Sequence, residues 1–243
     1  MPSINSAQLL HIWETTSDRQ PHQAALVLLQ ATVKSEEQPL LSAWTIGQRD
    51  RRLLQLRAQL FGKQMESIAR CPHCGESVEM TFTTDDLIMA ETDDIDQLVV
   101  AIDGYQITHR LPTIADLTTI AATQSGRRGL LIECVVAAQN EKGETLDNDD
   151  LPTALLDQLS ARMEEADPQA NIEFDLNCPV CAAQWQAPFD IVGFLLQEID
   201  TWARRLMREI HLLAGAYGWT ETEILKLSPT RRRSYLEMIL GGS

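Results

Sequence analysis

The sequence predicts an α+β fold: a helical N-terminal unit, a ribbon split into two cysteine-bearing halves, an α/β segment inserted between them, and a helical C-terminal tail. Three observations carry this prediction. Apolar residues recur at three- and four-residue steps at both ends of the chain, the period of an amphipathic helix. Around residue 80 the spacing changes to alternation, the period of a strand with one buried face. Two Cys-x-x-Cys pairs, far apart in sequence but similar in their flanks, mark two halves of one unit. The 243 residues, 44% hydrophobic and 23% charged, supply an ample core and exclude wholesale disorder, a collagen-like repeat and a disulfide scaffold.

The elements follow in order. Ser6 to Thr15 and Pro21 to Thr32 read as helices, with Pro21 in a first turn where a missing N–H costs nothing, and Pro39 closes this unit. In TIGQRDRRLLQLRAQLFG, Thr45 and Gln48 form a capping box, Leu53, Leu56, Leu60 and Phe61 an apolar stripe, and Gly62 a stop, which gives a helix over 45–61. Residues 77–83 (SVEMTFT) place Val78, Met80 and Phe82 on one face of a strand, and an acidic run from Asp85 to Asp96 follows on a short helix or loop. Asp103-Gly104 between two β-rich runs signals a hairpin over 98–111, since both central positions of a type I′ turn need positive φ.

Helical patterns return at 113–123, 127–139 and 152–166. Then NIEFDLNCPVCAAQWQAPFD repeats the order strand, Cys pair, strand. From Ile191 a stripe of Val192, Leu195, Ile199, Trp202, Leu206 and Leu213 predicts one long helix. A capping box at Thr220/Glu223 and Ser228-Pro229 start two short helices, over 221–226 and 229–240. The chain thus divides into 1–62 (helical unit), 63–83 with 171–190 (split ribbon), 84–170 (insertion) and 191–243 (helical tail).

Twenty Lys and Arg against thirty-five Asp and Glu give a net charge of −15, which excludes a surface wholly adapted to nucleic acid or anionic lipid. The charge is uneven. Residues 201–243 carry seven basic and four acidic side chains, so the tail is locally basic. No apolar run approaches the roughly 18 residues of a membrane span, and the first residues lack the basic region of a signal peptide; a cytoplasmic protein, or part of a particle assembled there, is expected.

Cys71-Pro72-His73-Cys74 and Cys178-Pro179-Val180-Cys181 carry the chemistry. In each knuckle the two-residue spacing turns both sulfurs to one side, as two of the four bonds of about 2.3 Å around a tetrahedral Zn²⁺ require. The sequence distance between the pairs does not by itself establish a shared ion, and three readings stand: one structural zinc per chain on Cys71, Cys74, Cys178 and Cys181, inert thiols or a regulatory disulfide, and a catalytic metal. Four thiolates leave no position for water, which favours the first. His73 is expected to face solvent and Cys134, within LLIECVVAA, to sit in a core.

No Gly-rich phosphate loop, GxSxG, HExxH or DxDxDG motif occurs, and His11, His22, His109 and His211 have no metal-like spacing. The acidic pairs Asp93-Asp94 and Asp149-Asp150 read as solvated turns. No nucleophile–base pair emerges, so no catalytic residue is expected. The dense basic feature, Arg231, Arg232 and Arg233 with Arg204, Arg205 and Arg208, reads as a solvated face or as a contact for an acidic protein or a second copy of the chain; nucleic acid fits less well because no aromatic stacking platform accompanies it.

Two stretches resemble a known family. TIGQRDRRLLQLRAQLFGKQMESIARCPHCGESVEMTF is similar to the part of T-even-type phage baseplate hub assembly proteins, and of relatives in contractile-tail gene clusters, where an Arg-Asp helix ending in LFG precedes a Cys-Pro-x-Cys-Gly knuckle. EIHLLAGAYGWTETEILKLSPTRRRSYLEMI resembles that family's C-terminal signature, with Tyr217-Gly218-Trp219, Ser228-Pro229 and Arg231 to Tyr235. The resemblance implies a non-enzymatic structural or chaperone-like protein of a contractile tail or injection system. Its partners would be other baseplate proteins, met through Tyr217, Trp219 and the Arg231 to Arg233 run. The rivals are a zinc-ribbon nucleic-acid-binding regulator, distinguished by steeply salt-dependent binding, and a metal-dependent hydrolase, which needs an open coordination position.

Overall fold

The computed structural model describes residues 4–34, 36, 38–90 and 97–241. Its α+β architecture is built on three helices, three small antiparallel sheets and one long helix that joins them. Helices α1 (Ser6–Thr16), α2 (Pro21–Gln30) and α3 (Ile46–Phe61) form the N-terminal unit. The capping box expected at Thr45 is present: Thr45 Oγ1 accepts the Gln48 amide while Gln48 Oε1 accepts that of Thr45. The first hairpin follows, β1 (Gln64–Arg70) with β2 (Ser77–Thr83), and leads into a single turn, α4 (Thr84–Leu87). The rest of the acidic run, including Asp93-Asp94, extends beyond the described residues.

Within 84–170 a three-stranded sheet, β3 (Leu98–Ile102), β4 (Tyr105–His109) and β5 (Val135–Gln139), packs with α6 (Gly126–Cys134) and α7 (Thr153–Ala166); α5 (Ile114–Thr123) packs against α6 on one side and α2 on the other. The β3–β4 turn is Asp103-Gly104 at φ of 48° and 82°, as a type I′ turn demands. One expectation is corrected. Residues 127–139 are not one helix: the helix ends at Cys134 and Val135–Gln139 become a strand paired with β4. A two-stranded hairpin buries too little to be stable alone, so the β-branched Val135 and Val136 are drawn into a third strand by the partner offered from afar in sequence.

The second hairpin, β6 (Glu173–Asn177) with β7 (Gln184–Pro188), leads into α8 (Ile191–Tyr217), whose 27 residues span about 40 Å. Gly218, at φ 68°, takes the left-handed position that ends it, and α9 (Glu221–Leu225) and α10 (Pro229–Leu240) fold back.

Helix α8 is the spine. Its first half, with Ile191, Leu195 and Ile199, completes a core of Leu28 and Leu29 from α2, Leu53, Leu54 and Leu56 from α3, Met65 and Phe82. Its second half, with Leu206, Ile210 and Leu213, joins Ile224 in a smaller C-terminal core. A third cluster, including Ile107, Cys134, Leu156 and Leu159, lies within the inserted segment. That segment is tied to the N-terminal unit where Thr45 bridges Thr113 and where the Gly47 amide donates to buried Asp167 Oδ2 at 3.0 Å, and its two ends are joined by Gln169, which bonds the backbone of Leu87 and Met89. Ile114 of α5 enters the first core.

Candidate metal centre and contact face

Each knuckle is a strand–turn–strand whose register brings its cysteines to the tip. Arg70 faces Ser77 in the first hairpin and Asn177 faces Gln184 in the second, so both loops have the same length. The backbone repeats as well. The Cys71 amide donates to the Glu76 carbonyl and Gly75 to Cys71; the Cys178 amide donates to Ala183 and Ala182 to Cys178. The fifth residue of each motif, Gly75 at φ 77° and Ala182 at φ 58°, is left-handed, a conformation glycine adopts freely and alanine at a cost of roughly 1 kcal/mol. Twelve residues beyond the first cysteine, Thr83 and Asp190 stand as the N-caps of α4 and α8. The two halves are therefore the same unit used twice. They pack through Phe82, Phe174 and Phe189, with ring centroids 4.7 to 5.8 Å apart.

This packing sets the knuckles tip to tip. The sulfurs of Cys71, Cys74, Cys178 and Cys181 all lie within 4.8 Å of one another, although 103 residues separate Cys74 from Cys178. Cys71 Sγ is 3.6 Å from Cys181 Sγ, and Cys74 Sγ is 3.5 Å from Cys178 Sγ. A tetrahedron with metal–sulfur bonds of about 2.3 Å has edges of about 3.8 Å, so the donor set matches a four-coordinate ion in number, softness and spacing. Cys71 and Cys178 are buried, while Cys74 and Cys181 face outward.

Electrostatics argue the same way. The Cys181 amide, with help from that of Val180, draws the Cys178 thiol down to about 7. The Glu76 amide pulls on Cys74 likewise, but the Cys178 sulfur and the other two push it up to about 12. The Ala183 amide donates to Cys181, whose pKa is nevertheless raised by burial and by its neighbours. One thiolate opposes the next, and a cation is what lets all four be thiolates together. These N–H···S bonds would hold the sulfurs in place around an ion.

His73 is exposed at the tip and Cys134 is fully buried in the inserted segment, as expected. Asp149 and Asp150 lie exposed on a short 3₁₀ turn. His109 is buried, its Nδ1 without a partner, and burial lowers its pKa.

The C-terminal residues separate into two groups. Tyr217 and Trp219 stack at 4.6 Å, and both meet Tyr235 of α10 edge-on. Tyr217 remains 38% exposed. Arg231 and Arg233 project into solvent. Arg232 corrects the expectation of a uniform basic face: it is 3% exposed, its Nε donates to Glu209 Oε2 at 3.1 Å and its Nη1 to the Leu227 carbonyl at 2.9 Å. Consecutive helical residues lie 100° apart, so the three arginines point in different directions, and the charge of Arg232 is spent inside the chain.

Two buried polar features escaped the sequence reading. Arg57, inside the helix that ends in LFG, binds Glu198 of α8 through both carboxylate oxygens at 2.8 and 2.6 Å, and donates to the carbonyls of Gly62 and Gln64. Asp50 is buried beside Arg49, and burial raises its pKa to about 6, with Asp190 and Asp167 adding to the rise. An Arg and an Asp in a helix flanked by other charges give no signal that they face inward.

No curated protein and no solved structure matches this chain. The profile of the family described as "T4 bacteriophage base plate protein" matches residues 5–196, which include both knuckles, the hairpins that carry them and the segment between. The matched span includes the Thr45 to Phe82 stretch and ends before the Tyr217 to Tyr235 signature. With most of its length matched and its paired knuckles inside the match, the chain belongs to the T4 bacteriophage base plate protein family.

Proposed function

We propose that the protein is a structural or assembly component of the baseplate hub of a contractile phage tail or phage-like injection system, held together by one structural Zn²⁺ on Cys71, Cys74, Cys178 and Cys181. The observation that carries this reading is the coincidence of a base plate family match with a four-sulfur cluster at the junction of two similarly built half-ribbons. Bound zinc supplies a four-coordinate cross-link with no open position, so its work is mechanical. It fixes the angle between the hairpins, and with it the start of α8 and both ends of the inserted segment. The split ribbon (63–83 with 171–190) is thus a clasp on which the helical unit, the insertion (84–170) and the tail (191–243) are mounted.

The contact face toward neighbouring baseplate proteins is assigned to Arg231 and Arg233 with the Tyr217–Trp219 stack. Its charges are exposed, and its aromatic rings supply rigid amphipathic area of the kind that anchors interfaces. The test is genetic and structural. In cells that build the particle, Arg231→Ser with Arg233→Ser should leave the purified protein folded and metal-loaded while lowering its co-purification with baseplate components and the yield of sheathed particles in electron micrographs. Full particle yield from cells lacking the protein altogether would refute the proposed role.

A further inference from the structure

The three-stranded sheet of the inserted segment packs one face on its core and leaves the other bare. Across the bare face run Val99 and Ala101, Gln106 and Thr108, and Val136 and Ala137, with Val99 62% and Val136 48% exposed. None of the three strands contains Asp, Glu, Lys or Arg, in a chain that is 23% charged. The two edges of the sheet differ. At β5, Thr145 bridges Gln139, the Leu146 amide donates to the Ala138 carbonyl, and Asn148 Nδ2 donates to that of Val135, so this edge is covered. The β3 edge is not. Ile102 and Tyr105 close the two-residue turn as a hydrogen-bonded pair, so by alternation Leu98 and Val100 also bond β4, while Val99 and Ala101 aim their N–H and C=O groups away from the sheet. Those groups meet no backbone partner among the described residues.

An uncovered edge is a template for a further strand, and folds guard such edges with charges, proline or a covering loop. Strands β1, β2 and β6 each carry Glu or Asp, and β7 has Pro188. Strand β3, Leu-Val-Val-Ala-Ile, has none of these guards. We infer that β3 pairs with β3 of a second copy, antiparallel about a two-fold axis, and so joins two three-stranded sheets into one of six strands. Charge and register name this occupant. Two chains of net charge −15 repel each other except where neither presents charge, and this edge with its bare face is such a place. Opposed residues of an antiparallel pair share a face, so a slip of one residue would set core side chains against solvent-facing ones. Full overlap of the strand sets Val100 against its own copy and Leu98 against Ile102. Val99 then opposes Ala101 of the second copy, and each such pair exchanges two backbone hydrogen bonds through the groups left free in a single chain. The contact is isologous and closes at two copies. It is far smaller than the roughly 20 to 30 residues a side of a stable interface, so the association is weak. It rests on neither the metal nor the C-terminal arginines, and it stands or falls apart from the proposed contact face.

The test is sedimentation equilibrium on the full-length protein, purified with zinc, from about 1 µM to 1 mM, the span of weak association. Wild type should rise from 27.2 kDa to twice that mass and no further, and at lower concentration in high salt, which screens the repulsion between acidic chains. Val99→Lys with Ala101→Lys sets lysine against lysine across the axis, and Val99→Glu with Ala101→Glu sets glutamate against glutamate. Each double variant should stay monomeric, with melting near that of wild type because both positions face solvent. An equimolar mixture of the two should pair again. Ala101→Pro removes an amide that bonds no other backbone group within the chain, and should also leave a folded monomer. Wild type that stays monomeric, grows past two copies or weakens in high salt overturns the inference, as do double variants that still dimerise or a mixture that does not. If wild type is monomeric and Ala101→Pro loses baseplate components on co-purification, the edge receives a strand of another protein and the self-pairing falls.

Discussion

Arg232→Ala is the sharpest probe of the C-terminal core. The guanidinium is almost wholly buried and makes two bonds, one to a carboxylate that is itself about a quarter exposed and one to a backbone carbonyl. Breaking a fully buried pair costs about 3 to 5 kcal/mol. Because Glu209 remains partly hydrated and keeps Arg205 at 4.0 Å, the expected loss is smaller, about 2 to 3 kcal/mol. The penalty falls on a small unit, since the core under α9 and α10 is centred on Leu206, Ile210, Leu213 and Ile224. It should therefore appear as local opening before global unfolding. Hydrogen exchange over residues 221–240 should quicken about 30- to 150-fold, at roughly 1.4 kcal/mol per tenfold, while exchange in α2 and α3 stays as in wild type. Arg231→Ala and Arg233→Ala should change exchange by less than about fivefold, the range for exposed charges worth under about 1 kcal/mol. Equal effects from all three substitutions, or none from Arg232→Ala, would refute the assignment of one structural and two surface arginines.

Arg57→Ala removes four hydrogen bonds that join α3, the start of β1 and α8, and should cost about 3 to 5 kcal/mol, read as a melting temperature lower by roughly 6 to 20 °C. Gly47→Ala would place a methyl 1.8 Å from Asp167 Oδ1, so the clamp between α3 and the inserted segment must open; the variant should show faster exchange around 165–170, and Gly47→Ala with Asp167→Ala should recover part of the lost melting temperature. Asp50 holds its proton up to about pH 6 in the fold against about 3.8 when unfolded, so its favourable contribution is complete below pH 3.8 and is lost as pH rises through 6. Asp50→Asn should accordingly be more stable than wild type at pH 7 to 8, by on the order of 2 to 3 kcal/mol, with the gain vanishing near pH 4 in denaturant melts.

Local chemistry made much of this fold legible. The capping boxes at Thr45 and Thr220, the Asp103-Gly104 turn, the alternation of Val78, Met80 and Phe82 and the stripe of α8 each depend on residues within one or two turns of one another. The cysteine set was legible for a different reason: two knuckles with similar flanks announce a common partner whatever lies between them. What sequence alone could not settle depends on distant neighbours. Val135–Gln139 continues a helical pattern and becomes a strand because β4 offers it a partner. Arg232 is indistinguishable from Arg231 and Arg233 in sequence, and only the packing of α10 against Glu209 selects it. Arg57 and Asp50 are charged residues on an amphipathic helix; Arg57 is held inward by Glu198, and Asp50 lies near Asp167 and Asp190, all more than a hundred residues away.

The claim on which the account depends is that one metal ion closes the two half-ribbons. Native mass spectrometry of the purified protein measures it directly. One zinc per 27.2 kDa chain is expected, with Cys71→Ser and Cys178→Ser each losing the ion and melting well below wild type, as removal of a structural zinc worth roughly 10 to 16 kcal/mol of apparent binding energy requires. A metal-free chain that melts at the same temperature as its cysteine variants would contradict it.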